Sequence, residues 1–139
     1  MQDGVWQYFY EDGALYIDLT FKDDKRTGLV RFYHNNGKVQ SEGNWTNGTL
    51  NGLYKAFHAD GVRSMTTYYK NDTLNGRRED FFDNDDPENT GDYVKEEKHG
   101  QWKYYYRGGK IKSSGLIEHG DQHGYWEFFH DNGTRSDYG

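Results

Sequence analysis

The 139-residue chain carries a formal charge of −6 and no cysteine. That excludes a disulfide framework, a thiolate nucleophile and a zinc–thiolate site, and it argues against nucleic acid and anionic membranes as partners, since both select a net basic surface. Leu, Ile, Val and Phe supply only 23 residues, a share typical of disorder, but 25 aromatic residues are present and disordered chains are poor in them. The expectation is a folded chain whose core is built from rings, each burying a large area with few rotors to freeze.

Gly4, Gly28, Gly52, Gly76, Gly100 and Gly124 each stand 24 residues from the next without insertion or deletion, so one short unit is copied six times across residues 1–139. The first unit runs Trp6-Gln7-Tyr8-Phe9 after its glycine, turns at Asp12-Gly13 and returns through Phe21. The second runs Val30-Arg31-Phe32-Tyr33, turns at Asn36-Gly37, returns through Trp45 and turns again at Asn47-Gly48. The third runs Tyr54-Lys55-Ala56-Phe57, turns at Asp60-Gly61 and returns through Tyr69. The fourth departs, with Arg78-Glu79-Asp80-Phe81 followed by Asp83-Asn84-Asp85-Asp86-Pro87-Glu88-Asn89 and a return through Tyr93. The fifth runs Trp102-Lys103-Tyr104-Tyr105, returns through Ile117 and turns at His119-Gly120; the sixth runs Trp126-Glu127-Phe128-Phe129 to Asn132-Gly133.

Counted from the leading glycine, the second and fourth places are mostly apolar and the third is always polar, the period-two pattern of a strand with one buried face. The fifth place is aromatic in every unit (Phe9, Tyr33, Phe57, Phe81, Tyr105, Phe129) although it falls on the polar side. It either covers the second face of the sheet or sits at a bulge. Asn-Gly and Asp-Gly pairs supply the positive φ that tight hairpins need. Each unit is therefore one β-hairpin, and six make an all-β antiparallel meander of about 11 or 12 strands, roughly 50–60 Å long in a single layer. Its aromatic rows are structural, and its glycines belong to hairpin turns.

The phrase running from His119-Gly120 through Gly124-Tyr125-Trp126-Glu127-Phe128-Phe129 to Asn132-Gly133, repeated from Trp45-Thr46-Asn47-Gly48 to Gly52-Leu53-Tyr54, closely resembles the MORN repeat, in particular the bacterial variant of YwqK-type proteins. The resemblance covers essentially the whole chain. It implies an elongated, twisted sheet of hairpins without enzymatic activity, acting as a protein-binding scaffold. Similar bacterial proteins are classed as antitoxins or immunity proteins. Others are surface or secreted interaction modules, and eukaryotic members are linked with tethering, scaffolding and dimerisation.

Candidate sites follow from where the repeat breaks. Asp80, Asp83, Asp85, Asp86 and Glu88 form an acidic run suited to a basic protein such as a toxin, on a solvated loop that Pro87 makes irregular. An EF-hand reading fails because the sixth position is Glu88 and the twelfth Val94. His34, His58 and His130 occupy the sixth place, otherwise held by Tyr10, Phe82 and Tyr106, and read as further flat rings. His119 and His123 flank a turn and are close enough in sequence to approach each other. Glu96-Glu97 alternate across a strand and do not converge. No Gly-x-Ser-x-Gly, Gly-x-x-x-x-Gly-Lys or His-Glu-x-x-His motif is present, so no catalytic residue, metal or cofactor is expected. The aromatic faces also offer a weaker fit to carbohydrate, and open terminal strands offer a route to a homodimer. No signal-peptide pattern opens the sequence. A cytoplasmic location is the expectation, or a surface or secreted one if an export signal has been trimmed.

Overall fold

The computed structural model describes residues 3–136. Its thirteen strands form one antiparallel sheet: β1 (Gly4–Phe9), β2 (Leu15–Lys22), β3 (Lys25–Tyr33), β4 (Val39–Thr46), β5 (Thr49–Phe57), β6 (Arg63–Lys70), β7 (Thr73–Leu74), β8 (Gly76–Phe81), β9 (Pro87–Val94), β10 (Glu97–Tyr105), β11 (Ile111–Glu118), β12 (Asp121–Phe129) and β13 (Arg135–Ser136). Spatial order follows chain order, and the all-β meander of hairpins expected from the repeat is what the chain adopts. An extra strand arises where the third unit meets the fourth: Asn75 splits β7 from β8 and its amide donates to the carbonyl of Tyr68 at 3.0 Å.

Two turns alternate along the sheet. Within a unit, the amide of Gly37 donates to the carbonyl of His34 (3.0 Å) and that of His34 to the carbonyl of Lys38 (2.8 Å), closing a three-residue loop with a left-handed last residue. The side chain before that residue fastens the loop: Asp12, Asn36, Asp60, Asn84 and Asn132 each accept from the amide two residues on. Between units the turn has two residues, both at positive φ: Asp23-Asp24, Asn47-Gly48, Asn71-Asp72, Lys95-Glu96 and His119-Gly120. Glu96 thus lies in a turn rather than in a strand.

The leading glycines are not turn residues, contrary to the expectation. They lie within or at the start of strands at φ from +70° to +119°, and from Gly28 onward pairing with the preceding strand slips beside them. Thr20 pairs with Thr27 and Asp18 with Arg31, so Gly28-Leu29-Val30 face Leu19 alone. Only a residue tolerant of left-handed geometry makes such a bulge without strain. A second slip lies beside the fifth place in five hairpins: Phe32 pairs with Ser41 and Tyr33 with Val39, leaving Gln40 over. Tyr33 and Phe57 share one shallow depression with Arg31 and Glu42. Both sequence alternatives therefore hold: the rings cover the second face, and a bulge lies opposite them.

A single sheet has no second layer to bury its rings, so they bury against the backbone of the neighbouring strand. Trp102 lies on Gly91 and Trp126 on Gly115 so closely that a methyl group on either glycine would overlap the indole; on Gly43 it would meet Tyr54 Cδ2 at 2.8 Å. The indole N–H groups then donate to the carbonyls of Asp92 (3.1 Å) and Leu116 (2.9 Å). Trp102, Trp126 and Ile117, each 4% exposed or less, form the best-packed part of the core with Tyr93, Tyr104 and Phe128 against them. Where the glycine's place holds Leu19 or Thr67, the next second-place residue is not a ring but Val30 or Arg78.

Gly115→Ala should therefore destabilise the protein by about 2–3 kcal/mol in urea unfolding, the cost of overpacking. Adding Trp126→Val should recover part of that loss, giving a double-mutant coupling well away from zero. The turn Lys95-Glu96 has neither glycine nor Asx for its two left-handed positions, each costing about 1–2 kcal/mol for an ordinary residue. Replacing it with Asn-Gly should raise stability by about 1 kcal/mol, seen as a shifted urea midpoint at unchanged slope.

Candidate functional site

The fourth unit keeps the backbone of its neighbours while changing their chemistry. Asp85 stands where five units have glycine and adopts φ +72°. The turn hydrogen bonds persist: the Asp85 amide donates to the carbonyl of Phe82 (3.0 Å) and the Phe82 amide to that of Asp86 (2.8 Å). Pro87 opens β9 opposite Phe81, at the register slip that four other hairpins share. The loop is therefore a regular turn, not the irregular one that Pro87 was expected to impose.

Its carboxylates are held from both flanking hairpins. Arg63, at the start of β6, donates from Nε to Asp85 Oδ1 at 2.6 Å while its guanidinium lies 4.0 Å from the centre of the Phe81 ring. Arg107, in the next turn, donates to Asp83 Oδ1 at 2.6 Å while lying 4.9 Å from the Phe82 ring. Asp86 accepts from Asn84 Nδ2 and from the amide of Gly108, both at 2.9 Å. Hydrogen bonding and charge from Arg107 hold the Asp83 carboxyl below its ordinary range, and Asp83 in turn raises the Arg107 guanidinium. Glu88 is exposed on β9, within reach of the Arg107 field.

The five acidic residues singled out in the sequence are not one cluster. Asp83, Asp85 and Asp86 share the turn with Glu88 beside it, whereas Asp80 lies on the inner face. There Arg78 forks onto it, Nε to Oδ2 at 3.0 Å and Nη2 to Oδ1 at 3.1 Å, and the pair stands in the ring row between Tyr69 and Tyr93. Its hydrogen bond to Asp80 pushes the Arg78 guanidinium up. Beside it, buried Thr67 leaves its hydroxyl without a partner.

Of the aromatic rows, Trp102, Trp126 and Phe81 are buried, and Tyr33, Trp45, Phe57, Tyr105 and Phe129 are half-buried. Trp6 and Phe9 stand exposed on β1. The sixth-place side chains are more than flat rings. Tyr10 OH donates to the carbonyl of Tyr33 (2.6 Å) and Tyr106 OH to that of Phe129 (2.8 Å); His34 Nε2 lies 3.0 Å from the carbonyl of Phe57 and His58 Nε2 3.4 Å from that of Phe81. The row is a latch between hairpins, and the signal was that five of its six places hold Tyr or His, both rings with a distal donor. Phe82 lacks one, and the Arg107 contacts stand in its place. His119 and His123 each face a carboxylate: His119 Nδ1 lies 3.3 Å from Glu97 and His123 Nδ1 3.9 Å from Glu118. Among the described residues no group of three His, Asp or Glu side chains is arranged to hold a metal.

Hairpins repeating in one open sheet, joined by ring-on-glycine packing and donor latches, define a repeat-based binding scaffold. Residues 2–23, 26–47 and 98–118 match the family described as MORN repeat variant. No curated protein matches the chain. Two solved structures are similar over part of it. One is a glycine-to-arginine mutant of S. aureus TarM in complex with Fondaparinux, alpha-GlcNAc-glycerol and UDP, at 11% identity and TM-score 0.45, covering 69% of this chain and 19% of that one. The other is TarM, at 12% identity and TM-score 0.45, covering 70% of this chain and 19% of that one. The present chain thus spans about a fifth of the length of those proteins.

The depressed Asp83 carboxyl sets a pH dependence. A folded pKa below the unfolded value near 3.8 contributes stability above that value, and the contribution is lost as pH falls through the folded pKa. Arg107→Gln should move the Asp83 titration, followed by carboxyl NMR, back up into the ordinary range and remove that part of the acid sensitivity.

Proposed function

We propose that the chain is a non-enzymatic scaffold of the antitoxin or immunity type that neutralises a basic protein toxin by binding it directly. The observation that carries this reading is the fixed acidic turn of the fourth unit. Asp83, Asp85, Asp86 and Glu88 bring four negative charges and Arg63 and Arg107 two positive ones, leaving an excess of two on a turn anchored to both neighbours. Such pre-ordered charge recognises a cationic surface without the entropy cost of ordering a loop, and the overall charge of −6 steers a basic partner toward it. Beside it, the second face offers half-buried rings (Tyr33, Phe57, Tyr105, Phe129) among Lys55, Lys103, Glu127 and the paired Arg31 and Glu42, a mixture of aromatic anchors and charges of the kind that protein interfaces use. A broad, shallow surface of this kind covers an active site or fills a substrate groove.

Expressed with a tag in its source organism, the chain should retain one stoichiometric basic protein, and its co-expression should relieve the growth arrest that this protein causes. Asp86→Lys with Glu88→Lys should weaken the complex about tenfold or more, largely through slower association that high salt masks. Absence of a stoichiometric partner together with failure to rescue growth would overturn the reading.

A further inference from the structure

The strand beneath each second-place ring obeys a rule along the sheet. Tyr54, Trp102 and Trp126 lie on Gly43, Gly91 and Gly115 of the preceding strand. Those glycines end the tripeptides Ser41-Glu42-Gly43, Asn89-Thr90-Gly91 and Ser113-Ser114-Gly115. The pairing is explicit in the last hairpin junction, where Ser113 faces Phe128, Ser114 faces Glu127 and Gly115 faces Trp126. It recurs where Ser41 faces Ala56, Glu42 faces Lys55 and Gly43 faces Tyr54.

Trp6 is a second-place ring whose strand, β1, has β2 as its neighbour in the sheet and, among the described residues, no strand on its other side. It is 39% exposed, against 1% for Trp102 and 4% for Trp126, and its edge contact with Phe21 at 6.2 Å keeps it on the same row. Val5, Tyr8 and Phe9 beside it are also exposed. The sequence Gly4-Val5-Trp6-Gln7-Tyr8-Phe9 contains no charge and no proline, two of the devices that ordinarily guard an edge against pairing, and its one left-handed residue, Gly4 at φ +99°, stands at the start of the strand, before Trp6. It is an edge with the chemistry of an interior strand.

We infer that β1 is a strand-acceptor site, binding an extended segment of a partner protein in antiparallel register. The segment has the pattern small–polar–glycine, its small residue opposite Tyr8, its polar residue opposite Gln7 and its glycine beneath the Trp6 indole. Main-chain hydrogen bonds supply affinity and the ring-on-glycine fit supplies selectivity, the logic of strand addition to a sheet edge. The inference concerns how a segment is held, and it stands whether or not the partner is a toxin.

The test uses the full chain and a capped peptide with the sequence of residues 111–118, Ile-Lys-Ser-Ser-Gly-Leu-Ile-Glu, as the probe. Titration followed by NMR should give saturable shifts of the Trp6 indole N–H, assigned from its absence in Trp6→Phe, and of the β1 amides. The same peptide with leucine in place of glycine should bind about tenfold or more weakly, because its side chain occupies the indole's seat. Trp6→Ala, checked for retained fold by circular dichroism, should lose that discrimination. Equal binding of both peptides, shifts centred away from β1, or no shift at millimolar peptide would overturn the inference. So would a concentration-dependent dimer that Val5→Lys with Tyr8→Lys dissolves, since the occupant would then be a second copy of the chain.

Discussion

The fold rests on rings packed against glycine across adjacent strands. A sheet with one layer has no opposing layer to bury its side chains, so its apolar area must be withdrawn from water by lying flat on its own backbone. An indole can do so only where the strand beneath carries no Cβ, and the interior second-place rings Tyr54, Trp102 and Trp126 each have such a glycine. Glycine weakens a strand by itself. Here that weakness is offset, because a buried indole removes far more apolar surface than the methyl it displaces and finds a backbone carbonyl for its N–H within 3.1 Å. Residues facing each other across adjacent strands are thus coupled: changing one alone is costly, and changing both is how the chain passes from Trp over Gly to Val beside Leu.

Latches at the two ends of the strands hold successive hairpins in phase. At one end the sixth-place donor reaches the carbonyl 23 residues on, as from Tyr10 to Tyr33 and from Tyr106 to Phe129. At the other, the second residue of four of the inter-unit turns donates back to a carbonyl two residues beyond the preceding turn, Gly48 to Arg26, Asp72 to Leu50, Glu96 to Leu74 and Gly120 to Lys98. The four acceptors are themselves 24 residues apart. Each contact joins nearest neighbours only, so stability accumulates unit by unit as in other linear arrays, and one unit can change its side chains while its neighbours hold its backbone.

The period, the hairpins, both kinds of turn and the buried row were legible in the sequence because backbone conformation there follows from local residue type: Asn-Gly and Asp-Gly at turns, alternation in strands. What was not legible depended on the partner strand. Nothing in the first strand of a unit says that its leading glycine forms a bulge rather than a turn; that follows from the two-residue slip against the strand before it. The histidines at the sixth place read as rings because their acceptors are carbonyls, which carry no sequence signature. The acidic run was found, but Arg63 and Arg107, one unit away on either side, were not connected to it. A charge partner at 22 or 24 residues' distance is visible only once the repeat is folded back on itself.

Read in this way, the fourth unit is a controlled substitution within a constant frame. Its inner face exchanges a ring for the Arg78–Asp80 fork, and Thr67 beneath it has a methyl and an unpartnered hydroxyl where glycine would admit an indole. A half-buried ion pair with an orphan hydroxyl is a poorer core than Trp on Gly, since desolvation of the charges consumes much of their attraction. On the rim the same unit gives up a ring-to-carbonyl latch at Phe82 and takes two arginine–aspartate clamps, each stacked on a ring. Both exchanges move the unit from apolar packing toward fixed charge, and neither disturbs the turn hydrogen bonds. The surrounding units supply the rigidity that lets this one present charge at defined positions, which is the division of labour a binding scaffold requires.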